Sequence, residues 1–207
     1  MQELLVTEVI PREKGRTFIR FENGMEVLLY KGEVRKLSLQ EGTYISREKY
    51  DEIIYEILGT RAKKRALFLL ERMDRTERQL RDKLTQNGYP KICVDLAVDY
   101  VKKYHYIDDM RYAVNFISCQ QNKKSRQKLK MDLLSKGIDK SMIEQALDEV
   151  FTSDEQLKIR QLLEKKHYAP KECERKEKQK IYQYLMRRGF KSSDILHVMK
   201  IWDEYEE

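Results

Sequence analysis

The chain has 207 residues, room for one or two ordinary domains, with 41% hydrophobic residues to fill a core and 37% charged residues, high for a compact globule. Only three prolines and eight glycines interrupt it, which favours long helices over a sandwich or barrel, and no run approaches the about 20 apolar residues that span a bilayer. A net charge of +7 and a pI near 9.1 bias it toward polyanions, although 42 basic and 35 acidic residues interleave and many form a solvated face.

Residues 1–45 read as a small antiparallel sheet. Leu4 to Val9, Arg16 to Phe21 and Met25 to Tyr30 are rich in β-branched and aromatic residues, and Asn23-Gly24 between the last two is a strong hairpin signal. A three-stranded sheet is marginal alone, so it is expected to cap the helical part or to offer an edge to a partner. Tyr50, Ile53, Ile54, Ile57 and Leu58 then recur at helical spacing behind the capping candidate Ser46, predicting a linker helix over 46–59 that Gly59 breaks.

The rest is organised around three glycines. With Gly88, Gly137 and Gly189 placed in register, Leu80, Leu129 and Ile181 coincide, as do Leu84, Leu133 and Leu185, then Tyr89, Ile138 and Phe190. Beyond the glycine, Val94, Ile143 and Ile195 match, followed by Ala97, Ala146 and Val198, by Val98, Leu147 and Met199, and by Val101, Val150 and Trp202. Steps of three and four on both sides predict helix, glycine corner, helix, because glycine most easily takes the left-handed backbone that ends a helix. The corners stand 49 and 52 residues apart, which leaves one further helix per unit. The predicted architecture is therefore mainly α: three tandem three-helix repeats, 60–107, 108–152 and 153–207, in an elongated curved array behind the sheet.

In repeat one, Thr60 to Met73 should bury Ala66, Leu67, Leu69 and Leu70. Asp74 and Glu77 have capping-box spacing, so a second helix is expected from there to Asn87, with Arg72, Arg75, Arg78 and Arg81 along one drifting stripe of the helix and its entry. Pro90 suits the first turn of the third helix, which runs to about Tyr104. Repeat two opens at Tyr106, with Asp108 or Asp109 as cap and Tyr112, Ala113 and Phe116 inward. Gln120 to Lys130 follows, five basic residues and no acid, the densest one-sign stretch of the chain, and Asp139 is placed to cap the helix ending near Phe151. Repeat three is expected to begin with a Thr152/Glu155 capping box, to carry a solvated mixed-charge run from Lys171 to Lys180, and to turn Trp202 inward.

No active-site pattern appears. His105, His167 and His197 are scattered, Cys93, Cys119 and Cys173 suggest neither a disulfide framework nor a zinc pair, Cys93 reads as a small core hydrophobe, and there is no phosphate loop or nucleophile elbow. A non-enzymatic, cytoplasmic protein without cofactor, metal or membrane contact is expected; nothing near the amino terminus looks like a signal peptide.

From Thr60 to Tyr205 the chain resembles the RecX family of bacterial recombination regulators. The resemblance is carried by ALFLLERMDRTERQLRDKLTQNGY (Ala66 to Tyr89), YIDDMRYA (Tyr106 to Ala113) and KLKMDLLSKGI (Lys128 to Ile138). Family members often have glycine where Gln121 to Lys124 stand here. The resemblance implies a monomeric modulator of the RecA recombinase in DNA repair and recombination. Such a protein binds the RecA–DNA filament, restrains its ATPase, strand exchange and growth, and holds single- or double-stranded DNA weakly and without sequence preference. Arg72, Arg75, Arg78, Arg81, Arg111, Lys123, Lys124, Arg126, Lys128 and Lys130 are the candidate contacts, suited to phosphates and acidic patches in a salt-sensitive way. Two other readings stand beside it. An independent helix-turn-helix DNA-binding protein also fits helix, corner, helix, but the helices after the corners are poor in base-reading residues and even acidic. A scaffold for another protein is the third.

Overall fold

The computed structural model describes residues 3–151, 154–169 and 175–205, and they fold as two compact units, one up to Asp108 and one from Asp109. The fold is mainly helical, with three three-helix units and a small antiparallel sheet. In the first unit, strands β1 (Leu4–Pro11), β2 (Arg16–Phe21) and β3 (Glu26–Tyr30) run antiparallel, and the Asn23-Gly24 turn closes as expected: Gly24 has φ +77° and the Met25 amide donates to Asn23 Oδ1 at 3.0 Å. A fourth strand, β4 (Tyr44–Ile45), pairs with β1, giving the order β3-β2-β1-β4. Two residues are too short for any period, which is why three strands were expected and four are found. The strand alternation holds: Ile19, Phe21, Val27 and Leu29 turn to one face and are buried. A short helix, α1 (Lys31–Lys36), follows β3.

That face shares one core with the first three-helix unit. Ser46 caps α2 (Arg47–Asp51) through the Lys49 amide, as expected, but the chain does not break at Gly59. A π-helical stretch, Glu52–Gly59, leads straight into α3 (Thr60–Arg72), and Gly59 keeps helical angles of −61° and −46°. Glycine stands there because of close approach: a Cβ would lie 3.3 Å from Leu96 Cδ1 and 3.2 Å from the Ile54 carbonyl. Then come α4 (Glu77–Gln86) and α5 (Lys91–Lys103), one residue later than the proline placement predicted, since Pro90 is the extended N-cap. Ile53, Ile54, Ala66, Leu80, Leu84, Val98 and Val101 are among the fully enclosed side chains of this core, each leucine or isoleucine contributing about 1.5–3 kcal/mol over exposure. Cys93 is buried among them, its thiol pushed up to about 11 by burial, and donates to the Ile54 carbonyl at 3.4 Å.

The second unit holds α6 (Asp109–Gln120), α7 (Arg126–Ser135), α8 (Lys140–Val150), α9 (Glu155–Glu164), α10 (Arg175–Arg187) and α11 (Ser192–Tyr205). Each three-helix set has its own core, one built on Ala113, Ile117, Leu129, Leu133, Ile143 and Leu147 with Tyr112 and Phe116 packed against it, the other on Ile159, Leu163, Leu185, Phe190, Ile195 and Val198. The turn before α7, lacking the family glycine, closes with the Lys123 and Lys124 amides donating to the Gln120 carbonyl at 2.9 and 3.1 Å.

The glycine register is reproduced down to the hydrogen bonds. Gly88, Gly137 and Gly189 have φ of +86°, +87° and +83°. After each, the next amide reaches back five residues: Tyr89 to Leu84, Ile138 to Leu133 and Phe190 to Leu185, at 3.3, 3.3 and 3.4 Å. His105 (φ +56°) and His167 (φ +50°) end α5 and α9 in the same left-handed way, with Tyr106 and Tyr168 donating back to Val101 and Leu163. Asp139 caps α8 as predicted. Two caps differ. The second helix starts at Thr76, which forms its capping box with Gln79, not at Asp74; α9 is capped by Asp154, whose carboxylate accepts from Gln156 and Leu157. Thr152, Cys173 and the first residues of the Lys171 to Lys180 run lie outside the described residues, as does the side chain of Trp202.

Candidate functional site

The ten basic candidates fall into three settings. Arg72 is exposed at the end of α3 with its guanidinium 4.3 Å from the Phe68 ring, and Arg78 is exposed in the first turn of α4. Arg75 lies between them, half-buried, in the connection that Met73 opens with extended angles of −164° and 135°. The four arginines therefore do not share one helix: only Arg78 and Arg81 stand on α4. Arg81 turns inward to a network with Glu77 at 2.8 Å and Asp95, and Glu77 also accepts from Lys102 at 2.7 Å. Desolvation pushes the Glu77 carboxyl up, but the Lys102 and Arg81 contacts win and hold it below its ordinary value.

In the second unit the one-sign sequence becomes a mixed-sign surface. Asp132 accepts from Lys124 at 2.7 Å and pairs with Lys128 at 3.0 Å; against burial, these two ammonium groups keep its carboxyl low. Arg126 reaches Asp148 at 2.6 Å and Glu144 at 3.3 Å, Lys130 also takes Glu144, and the Lys130 contact, with Arg126 beside it, lowers the Glu144 carboxyl. So three carboxylates on α7 and α8 counter four of the five cations between Gln120 and Lys130. Arg111 is exposed in the first turn of α6. Arg72, Arg78 and Lys123 are the exposed candidates that make no ion pair with any described residue.

An aromatic surface was not foreseen. At the end of α5, Tyr100 and Tyr104 have ring centroids 4.9 Å apart, and Tyr106 follows at 6.4 Å from Tyr104. Tyr104 and Tyr106 are more than half exposed, and the Lys63 and Lys103 ammonium groups sit 5.6 and 6.0 Å from the Tyr100 and Tyr104 rings. The signal was present in the four-residue spacing of two tyrosines, but only the left-handed turn at His105 swings the third alongside. Rings flanked by cations are the chemistry that stacks unpaired bases.

Among the described residues no three His, Cys, Asp or Glu side chains are grouped to hold a metal, and no helix is long and apolar enough to cross a membrane. What the fold defines is a protein of tandem three-helix domains, with exposed cations and aromatic rings on its surface. Family models of RecX match it domain by domain: the first three-helix domain over 62–100, the second over 108–147 and the third over 154–199. The regulatory protein RecX of Caldanaerobacter subterraneus subsp. tengcongensis is 32% identical over 195 residues, 93% of this chain and 96% of the relative. That of Clostridium acetobutylicum is 28% identical over 207 residues, 97% of each. A crystal structure of regulatory protein RecX shares the fold at a TM-score of 0.60 and 24% identity, covering 95% of this chain and 99% of the other; RecX from Lactobacillus salivarius gives 0.55 and 25%, covering 70% and 97%. The chain belongs to the RecX family of regulatory proteins.

Proposed function

We propose that the protein regulates the RecA recombinase by binding the RecA–DNA filament and restraining ATP hydrolysis, strand exchange and filament growth, as a cytoplasmic monomer without catalytic activity of its own. The match to all three RecX three-helix domains, in order, carries this reading. The surface supports it in kind. Arg72, Arg78 and Lys123 supply exposed positive charge, and the tyrosines at and beyond the end of α5 supply stacking for single-stranded DNA held weakly and without sequence preference. The independent helix-turn-helix alternative is disfavoured by α8, whose Glu144 and Asp148 meet basic side chains of α7 instead of facing a groove. The test is the single-stranded-DNA-dependent ATPase rate of the cognate RecA, with this protein titrated from far below stoichiometric to equimolar at two salt concentrations. A fall at substoichiometric protein is expected. An unchanged rate at equimolar protein, with bare DNA still shifted, would replace this reading by independent DNA binding.

A further inference from the structure

The first unit contains a cavity that the regulatory reading does not use. It lies between the β2–β3 edge of the sheet and α3, is closed by the Gly88 corner, and has a volume of about 420 Å³, in the range of small-molecule sites. Its lining includes Arg16, Arg61, Lys64 and Arg65 and not one carboxylate.

Two of these cations are held in place. Arg61 donates to the Leu28 carbonyl at 3.3 Å, pairs with Glu33 behind it and lies 4.6 Å from the Tyr30 ring; Arg65 donates to Asn87 Oδ1 at 2.8 Å. The other two, Arg16 and Lys64, are exposed and make no ion pair with a described residue. Glu33 thus offsets one charge of four, and like charges gathered in a recess repel until an anion enters. Tyr89 senses the convergence: burial holds its phenol above the ordinary value, Tyr30 adds to that, and Arg61, Arg65 and Arg16 oppose it in part. Tyr30 and Phe68 stand exposed at the rim, 45% and 38%, and give a planar apolar surface beside the cations. An inorganic anion would need only the charges; charges and rings together suit a phosphate that carries an aromatic base.

We propose that this cavity is a binding pocket for a nucleoside phosphate, with Arg16, Arg61, Lys64 and Arg65 around the phosphate and Tyr30 and Phe68 beside the base. The ligand is either a free nucleotide or one unit of a single strand, and the test separates the two. The full chain is titrated by calorimetry with dTMP, with ATP and with a short oligothymidylate, RecA being absent throughout, so the result does not depend on the regulatory reading. Saturable binding of dTMP or ATP assigns the free nucleotide; binding of the oligothymidylate that neither mononucleotide displaces assigns the strand. In both cases the pair Arg16→Gln/Lys64→Gln, which breaks no ion pair among described residues, should lose about tenfold in affinity. The charge-matched control Lys140→Gln/Arg160→Gln, on exposed residues of the second unit, should lose less than about twofold. Binding of none of the three probes, or an equal loss in the two pairs, overturns the proposal.

Discussion

Ser125 shows how much one buried hydroxyl can carry. It is fully enclosed, accepts from the Lys128 amide at 3.1 Å as the cap of α7, and donates to the Gly189 carbonyl at 2.6 Å, tying the second three-helix set to the third. Thr76 holds the same place before α4, enclosed and capping. Ser125→Ala should cost about 2 kcal/mol, about 1 for the lost cap and the rest because the Gly189 carbonyl also loses its donor. A loss of only about 1 kcal/mol in urea denaturation, the size of a cap alone, would remove the second role. Sequence reading placed the first of these caps two residues early. Asp74 with Glu77 and Thr76 with Gln79 have the same spacing, and burial, which spacing does not express, decides for threonine. Carrying the glycine register back would have chosen correctly, since Thr76 and Ser125 stand at one distance from Gly88 and Gly137. Lys158 had no sequence signal at all. It is 2% exposed, its ammonium lies 4.0 Å from the Phe151 ring without a hydrogen-bond partner among the described residues, and burial lowers it from 10.5 to about 8, with Glu155 opposing. Between about 8 and 10.5 the unfolded chain holds the extra proton, so stability rises with pH across that window, and the cost is fully present below it. Lys158→Met should therefore be roughly 1–3 kcal/mol more stable than the parent at pH 7, with the gap closing toward pH 10. A gap independent of pH would assign the gain to packing alone.

Elements were legible where a period repeats. Leu84, Leu133 and Leu185 are all fully enclosed, because a helical face that must meet a core writes its spacing into the chain three times over. What failed to show was backbone detail inside a face: the π-helical stretch through Ile53 and Ile54 keeps the same apolar residues, and Gly59 reads as a break until Leu96 is seen against it. The corners separate conformation from contact in the same way. Gly88 and Gly189 share φ near +85°, for which alanine costs about 1–2 kcal/mol, but their surroundings differ. A Cβ on Gly88 meets the movable tip of Leu28 at 2.7 Å; on Gly189 it meets Lys128 Cβ at 2.6 Å, Ser125 Oγ at 2.7 Å and the α7 backbone at 3.3 Å. Gly88→Ala should stay near that conformational cost, whereas Gly189→Ala should exceed about 3 kcal/mol and release the Ser125 amide, bound to Arg188, to faster hydrogen exchange. Similar losses with unchanged exchange at Ser125 would show that the contact yields.

At the scale of the whole molecule, charge is where the sequence misleads most. Five basic residues between Gln120 and Lys130 look like a polyanion site, but the counter-charges of four of them stand later in the chain, Asp132 on α7 itself and Glu144 and Asp148 on α8. No local window contains the two α8 residues, so only folding shows the neutralisation. A phosphate approaching this face competes with those carboxylates, which weakens binding and flattens its dependence on salt. Glu144→Gln removes the shared partner of Arg126 and Lys130 while Asp148 still holds Arg126, so it releases about one cation. If this face meets DNA, the variant should bind an oligonucleotide several-fold more tightly at low salt, and the slope of log affinity against log salt should steepen by about 0.7 to 0.9. The carboxylate is partly exposed, so stability should fall by under about 1 kcal/mol. A steeper slope would place Lys130 at the phosphates; an unchanged slope with retained binding would move the contact to Arg72, Arg78 and the tyrosines of the first unit.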